Sequence, residues 1–145
     1  MNNYCGPFAL GYVLGIDSDQ AEQKIRDLRG SDAAPIDYDP SKPVTFVWSS
    51  EIADILRGAG KLKDNYFLYR TSPYNRPTLA QWLRLRDPKL CYIVLITNHF
   101  IVVKGNKIFD NMHRSGITIN AYPHRRKRMR RIFEIKEGES NELSF

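Results

Sequence analysis

The sequence lacks the features that mark a membrane or secreted protein. Its longest apolar run, from Leu90 to Thr97, is much shorter than the 18 or so residues that span a bilayer. No basic segment followed by an apolar one opens the chain, as a secretion signal would. The run predicts a buried strand instead. We therefore expect a cytoplasmic protein with no membrane partner.

Cysteine and histidine are scarce. The chain of 145 residues has 2 cysteines and 3 histidines, and neither a Cys-x-x-Cys nor a His-x-x-x-His pattern occurs. A metal site is therefore not expected, nor is a cofactor. Cys91 lies inside the apolar run, which favours a small buried side chain over a disulfide with Cys5, above all in a reducing compartment.

Positive charge is concentrated in one segment. The net charge is +6, and without the six basic residues of this segment the chain has sixteen basic and sixteen acidic residues. The segment consists of Arg125, Arg126, Lys127, Arg128, Arg130 and Arg131. The density of positive charge in this segment favours contact with nucleic acid, an acidic protein or an acidic substrate. The alternative is a solvated edge strand whose charges prevent unwanted pairing.

Helix signals occupy the first half of the chain and strand signals the second. This order predicts an α+β fold, with N-terminal helices packed on a C-terminal antiparallel sheet. We expect one domain over residues 1–136, a polar tail over 137–145, and a loop over 31–43 near a cleft. The predicted helices cover about 7–15, 17–29, 49–60 and a short stretch after Thr78; the predicted strands cover 66–70, 90–97, 99–104, 107–110, 116–120 and 130–136.

A cysteine lies at the N-terminus of the first predicted helix. Cys5 directly precedes Gly6 and Pro7, and an apolar helical segment follows up to Gly15. The unpaired backbone N–H groups and the dipole of a helix N-terminus favour a thiolate. A thiolate becomes a catalyst when a histidine and an orienting group accompany it.

A hairpin signal predicts where those partners lie. Gly105 and Asn106 both accept positive φ and favour a two-residue turn. In that register His99 shares a sheet face with Asp110, as its diagonal neighbour. A bulge would exchange Asp110 for Asn111, which is the reserve candidate. His113, just beyond the predicted strand, is interpreted as a loop residue.

The chain resembles the papain-like cysteine peptidases, and most closely the branch of the double-glycine leader peptidases of bacteriocin transporters. The similar segments are Asn3-Tyr4-Cys5-Gly6-Pro7-Phe8-Ala9-Leu10, Asn98-His99-Phe100-Ile101-Val102-Val103 and Lys107-Ile108-Phe109-Asp110. The resemblance covers roughly residues 3 to 112 and implies a papain-like fold.

The resemblance also implies roles for single residues. Cys5 corresponds to the nucleophile, His99 to the general base and acid, and Asp110 to the orienting residue. The family has an upstream glutamine that donates to the oxyanion, and no glutamine stands among residues 1–4. The backbone N–H of Cys5 and the side chains of Asn2 and Asn3 are the candidate donors in its place.

Three functional hypotheses follow. The first is a stand-alone thiol hydrolase or acyltransferase that acts on a peptide, isopeptide or amide substrate. Its size and lack of transporter regions suit a protein of a phage or other mobile element, acting in a host cytoplasm. The second is a catalytically weakened binding module of the same fold, which contacts nucleic acid or an acidic protein through residues 124–131. The third is a nucleic-acid-binding protein in which Cys5 is structural.

Overall fold

The computed structural model describes residues 3–30, 41–67 and 75–136, and of residues 66 and 67 only the backbone. These ranges contain four helices and one six-stranded antiparallel sheet, so the predicted α+β class is confirmed. The elements are α1 (Cys5–Leu14), α2 (Ser18–Arg29), α3 (Ser49–Gly58), β1 (Leu62–Phe67), α4 (Leu79–Leu85), β2 (Cys91–Ile96), β3 (His99–Lys104), β4 (Lys107–Asp110), β5 (His113–Thr118) and β6 (Met129–Ile135). Among the described helices, none is long and apolar enough to cross a membrane.

The sheet is open and has the strand order β1-β6-β2-β3-β4-β5. Strands β2 to β5 follow one another as antiparallel neighbours, and β6 returns to lie between β1 and β2. The C-terminal part of the basic segment belongs to β6. The interpretation of the basic segment as an edge strand is therefore wrong, because β6 pairs with β1 on one side and with β2 on the other.

Both faces of the central strands are covered. On one face, α1, α2 and α3 pack against alternate residues of β2, β3 and β6, with Leu10, Ile25, Phe100 and Phe133 in the shared core. On the other face, α4 packs with the remaining residues of the same strands. Burial on both faces explains why β2 is a continuous apolar run and not an alternating one. Cys91 is buried in the first of these cores, and no disulfide joins it to Cys5.

Local signals set three of the helix ends. Asp17 accepts from the backbone N–H of Gln20 at 2.8 Å and the Gln20 side chain accepts from the Asp17 N–H at 3.1 Å, so α2 begins with a capping box. Thr78 starts α4 in the same way. Gly15 ends α1 in the left-handed conformation, with φ of 71°. These ends are confirmed as predicted.

Two strand boundaries differ from the prediction. Strand β1 begins at Leu62 and not at Tyr66, because pairing with β6 satisfies the backbone of its polar first residues. Strand β5 begins at His113 and not at residue 116, because His113 pairs with Asp110 directly after the turn. Residues 68–70, 137–145 and most of the predicted loop, 31–40, lie outside the described ranges.

Gly6 allows α1 to approach the segment before α3. A Cβ atom added at this glycine would lie 2.6 Å from Cγ2 and 3.0 Å from Cβ of Val47. Val47 is buried, and its Cβ cannot move away without moving the backbone. The absence of a side chain at Gly6 therefore sets the distance between the N-terminus of α1 and this segment.

We expect Gly6→Ala to lower the free energy of unfolding by about 1–3 kcal/mol, because overpacking must displace Val47 or α1. The measurement is the urea unfolding midpoint. The matched control is Gly58→Ala at the end of α3, where an added Cβ meets nothing within 4 Å. A Gly6→Ala midpoint equal to that of the control would contradict the predicted close approach.

Candidate active site

Cys5 is the first residue of α1 and lies against the start of β3. Its partly buried Sγ accepts a hydrogen bond from the backbone N–H of Phe100 at 3.5 Å. Tyr4 is the N-cap residue, and its side chain makes no capping bond to the helix. The thiol thus lies where the helix dipole and a strand N–H both favour negative charge.

The imidazole of His99 joins the thiol to a carboxylate. Its Nε2 lies 2.9 Å from Oδ2 of Asp110, and the ring also shares a hydrogen bond with Cys5. Because Nε2 faces Asp110, Nδ1 is the nitrogen left for the thiol. The structure therefore brings together the three residues that the sequence places far apart.

The β3–β4 hairpin creates this arrangement. Gly105 has φ of 59°, and Lys104 pairs with Lys107 across the predicted two-residue turn. Val103 pairs with Ile108, as the register predicted, and their side chains share one core with Ile101. Asp110 therefore lies on the same face as His99. The predicted hairpin is confirmed.

Asp110 is a buried carboxylate whose two oxygens accept from four donors. Besides His99 on Oδ2, the hydroxyl of Tyr122 donates to Oδ2 at 2.7 Å. Nδ1 of His113 lies 2.9 Å from Oδ1, and the backbone N–H of Met112 donates to the same oxygen at 3.0 Å. The side chain is 1% exposed. A carboxylate that accepts this many bonds stays ionised and cannot rotate freely.

The pKa values of the site favour an ion pair. Burial alone would raise the pKa of Cys5, but hydrogen bonds with His99 and Phe100 outweigh it and hold the pKa below its ordinary value. Burial alone would lower the pKa of His99, but hydrogen bonds with Asp110 and Cys5 raise it to about 9. Burial opposes ionisation of Asp110 too, yet its hydrogen bonds, led by that of His99, hold its pKa well below its usual range. The shifts of Cys5 and His99 therefore favour a thiolate–imidazolium pair beside the ionised carboxylate of Asp110.

All three histidines of the chain lie at or beside this site, near Asp110 or His99. The ring of His124 lies 5.8 Å from that of His99 and 5.5 Å from that of Tyr122, measured between centroids. His113 lies 5.8 Å from Tyr122. The interpretation of His113 as a loop residue is wrong, since it begins β5 and faces Asp110.

Asn3 is held by one residue of the turn after β4 and one residue of β5. Nδ2 of Asn111 donates to the carbonyl oxygen of Asn3 at 2.9 Å, and Nη2 of Arg114 donates to Oδ1 of Asn3 at 3.2 Å. Asn111 does not take the place of Asp110 beside His99, because no bulge shifts β3 against β4. Its side chain anchors Asn3 instead. Asn2, the other candidate oxyanion donor, lies outside the described residues.

A cleft of about 370 Å³ opens beside the thiol. Its walls are mainly apolar, and the exposed rings of Phe46 and Trp48 form an edge-to-face pair with centroids 4.8 Å apart. Polar side chains come from Thr45, Ser49, Asn98 and Arg130. The complete lining consists of Cys5, Gly6, Thr45, Phe46, Val47, Trp48, Ser49, Leu95, Asn98, Phe100 and Arg130. The thiol of Cys5 thus faces a space that accepts a bulky apolar group.

The chain matches no known family model, no curated protein and no solved structure. Among the described residues, no group of three or more histidine, cysteine, aspartate or glutamate side chains is arranged to hold a metal ion.

The six basic residues do not form one surface. Arg125 and Arg126 are exposed in the turn before β6, whereas Arg131 is 8% exposed. Arg131 donates from Nη1 to Oγ of Ser49 and from Nη2 to Oδ1 of Asn65. The prediction that Arg131 belongs to an exposed basic patch is therefore wrong. Arg130 lines the cleft. The remaining two, Lys127 and Arg128, lie in the turn, where Arg128 donates to the carbonyl oxygen of Arg76.

The sequence interpretation missed Tyr122 and His124 as members of the site. A buried tyrosine needs a partner for its hydroxyl, which is the one signal that the sequence offers for Tyr122. Its partner is 12 residues away, across β5, and no local pattern predicts that contact. His124 comes near His99 only because the turn before β6 folds back over the end of the sheet.

We expect the imidazole of His99 to titrate near pH 9, as measured by NMR on the histidine ring protons. His124 serves as the internal comparison, since burial, Lys127 and His99 lower its pKa below the ordinary value. Because the pKa of His99 is raised on folding, its contribution to stability is complete below the unfolded pKa of about 6.5 and is lost as the pH rises through about 9. In Asp110→Asn the pKa of His99 should fall, because the neutral amide no longer stabilises the imidazolium. A wild-type His99 that titrates near pH 6.5 would contradict the ion pairing of His99 with Asp110 and Cys5.

We expect Tyr122→Phe to lower the free energy of unfolding by about 1–3 kcal/mol at pH 7, because it removes one donor from a buried charge. As the pH falls below about 4, the wild type itself should lose stability, because the unfolded chain takes up a proton that the ionised Asp110 of the folded protein does not. Urea unfolding at pH 7 and pH 3 measures both. The control is Tyr92→Phe, whose buried hydroxyl accepts only a 3.3 Å bond from the backbone N–H of Asp87. Equal losses in both variants would argue against a special role for Tyr122.

Proposed function

We propose that this protein is a papain-like thiol hydrolase or acyltransferase that acts on peptide, isopeptide or amide substrates. The single observation that carries the proposal is the imidazole of His99 between the thiol of Cys5 and the buried carboxylate of Asp110. Each neighbour has a chemical role. The thiol supplies the nucleophile, the imidazole moves the proton, and the carboxylate fixes the tautomer and orientation of the ring.

The proposed reaction has two halves. In the first, Sγ of Cys5 attacks the carbonyl carbon of the substrate, and the carbonyl electrons move to its oxygen. When the tetrahedral intermediate collapses, the C–N bond breaks and the imidazolium of His99 gives its proton to the leaving amine. In the second half, neutral His99 takes a proton from water or an acceptor amine, which attacks the thioester and releases Cys5.

The N-terminus of α1 supports the charge that develops on the oxygen. The backbone N–H groups of Cys5 and Gly6 belong to the first turn, where a helix has no internal acceptors for them. Asn3 is held directly before the nucleophile by Asn111 and Arg114, with Oδ1 toward Arg114. Its amide NH₂ is then the part that it can offer to an oxyanion. We assign these groups the role that the glutamine has in the resembled family.

The arrangement of elements also supports the papain-like proposal. The cysteine begins a helix, the histidine begins a strand, and the carboxylate ends the strand that returns antiparallel to it. This is the order that the resemblance implies for the nucleophile, the histidine strand and the acid-bearing strand. The second hypothesis, a binding module that uses residues 124–131, has less support because Arg131 is buried and Arg130 lines the cleft.

We expect iodoacetamide to alkylate Cys5 at pH 6.5 roughly tenfold or more faster than it alkylates the same cysteine in urea-unfolded protein, because an ordinary thiol is only about 1% ionised there. Peptide mass spectrometry separates Cys5 from Cys91. In His99→Ala the folded rate should fall to the unfolded one. If the folded wild type shows no advantage, or His99→Ala keeps it, the enzyme hypothesis fails.

A chemical test of acyl transfer uses the p-nitrophenyl ester of N-acetyl-phenylalanine, whose ring suits the apolar cleft. We expect a burst of p-nitrophenol of one equivalent per protein and an acylated Cys5 by mass spectrometry. Cys5→Ser is the matched control and should give no burst, because serine lacks the lowered pKa of the thiol. A burst of equal size in the control would place the reaction at another residue.

A further inference from the structure

Strand β5 contributes two consecutive residues to the surroundings of Cys5. His113 contacts Asp110. Arg114 is the next residue, so strand alternation sends its side chain to the opposite face of β5. There its Nη2 donates to Oδ1 of Asn3 at 3.2 Å. Both residues follow the part of the chain that resembles the papain-like peptidases, so the resemblance assigns Arg114 no role.

The guanidinium of Arg114 also contacts α1. Its Cζ lies 5.1 Å from the centroid of the Phe8 ring, and Phe8 is a buried residue. A guanidinium over an aromatic face gains a cation–π interaction, which restricts an otherwise exposed side chain. Because Phe8 follows Cys5 by one helical turn, Arg114 is anchored to the helix that carries the thiol.

The contact with Arg114 determines which end of the Asn3 amide faces it. A guanidinium has only N–H donors, so the atom of Asn3 beside it is the oxygen. The backbone of Asn3 is held separately, because Nδ2 of Asn111 donates to its carbonyl oxygen at 2.9 Å. The NH₂ group of Asn3 is therefore turned away from Arg114. The positive charge beside Oδ1 also polarises the amide, which makes this NH₂ group a stronger donor.

Asn3 and Cys5 direct their side chains to the same side of the chain. Tyr4, between them, has an extended backbone with φ of −87° and ψ of 155°. In an extended segment, residues two positions apart point the same way. Asn3 is exposed, so its amide is accessible to a substrate at the thiol. A donor in this place stabilises the negative charge that forms on the carbonyl oxygen after attack by Sγ.

We infer that Arg114 is a positioning residue for acyl transfer: it holds the side chain of Asn3 so that the NH₂ group donates to the oxyanion that forms beside Cys5. The inference rests on the proposed function. It makes β5 part of the proposed machinery and gives Arg114 a role that acts entirely through Asn3.

Two reactions of Cys5 separate this role from the formation of the thiolate. The groups that lower the pKa of Cys5 are His99, Phe100 and the backbone N–H of Cys5 itself, and Arg114 is not among them. Alkylation by iodoacetamide is a displacement at a saturated carbon and forms no oxyanion. Acylation by the p-nitrophenyl ester of N-acetyl-phenylalanine forms one. The ratio of the two rate constants therefore reports the oxyanion donor alone.

The first variant is Arg114→Met, which keeps a long apolar side chain over Phe8 and removes the charge and the donors. We expect the acylation rate constant, from stopped-flow release of p-nitrophenol, to fall roughly tenfold, as the loss of a charge-assisted hydrogen bond implies. The alkylation rate should stay unchanged. The matched control is Arg126→Met in the exposed turn before β6, which should leave both rates unchanged. Unchanged acylation in Arg114→Met, or an equal fall in both reactions, overturns the inference.

Variants of Asn3 test whether Arg114 acts through it. Asn3→Ala should lower acylation roughly hundredfold relative to alkylation, as the loss of an oxyanion donor does elsewhere. Arg114→Met should add no further loss in that background. Because Asn3 is exposed, these variants test the inference even if Arg114→Met lowers stability. A full additional loss in the double variant overturns the inference.

Asn3→Asp distinguishes an oxyanion donor from a structural contact. The new carboxylate forms an ion pair with Arg114, so the urea unfolding midpoint should not fall, but it has no N–H to donate. Acylation relative to alkylation should fall at least as far as in Asn3→Ala. An Asn3→Asp variant that is acylated like the wild type shows that the contact of Asn3 with Arg114 is only structural.

The readouts keep the two proposals apart. A wild type with fast alkylation and a burst, both unaffected by Arg114→Met, overturns the role of Arg114 and leaves the enzyme proposal intact. A wild type with neither fast alkylation nor a burst overturns the proposed function, and the role of Arg114 with it.

Discussion

The candidate site depends on one buried carboxylate. Asp110 is 1% exposed and stays ionised because four donors, from β3, from the turn after β4, from β5 and from the segment before β6, point at its two oxygens. Without these donors, burial would favour the neutral acid. The raised pKa of His99 and the lowered pKa of Cys5 both follow from this negative charge, directly or through the imidazole.

Side-chain hydrogen bonds at and beside Asp110 also join distant parts of the chain. Tyr122 connects the segment before β6 to the end of β4, and Asn111 connects the turn after β4 to the residue that precedes Tyr4 and Cys5. A buried network of this kind is favourable only when every member is satisfied. Stability and the proposed chemistry therefore share residues, and substitutions at Asp110 or Tyr122 are expected to affect both.

The cleft and the reactive pair are produced by different features of the fold. The pair comes from the regular β3–β4 hairpin, whereas the cleft comes from irregular positions: Gly6, which lets α1 approach Val47, and a β-bulge of β6 at Arg130. The two features meet at Cys5 and Phe100, which both line the cleft and are joined by the hydrogen bond from the Phe100 N–H to Sγ.

Much of the structure of this protein is determined by short stretches of its sequence. The helix ends at Asp17, Gly15 and Thr78, the turn at Gly105 and Asn106, and the shared face of His99 and Asp110 all follow from short-range rules of capping, backbone conformation and strand alternation. Other features depend on tertiary structure alone. The insertion of β6 between β1 and β2, the burial of Arg131, and the contacts of Tyr122 and His124 arise from pairing between distant segments, and the free energy of such pairing depends on the whole sheet and not on the residues next to each position.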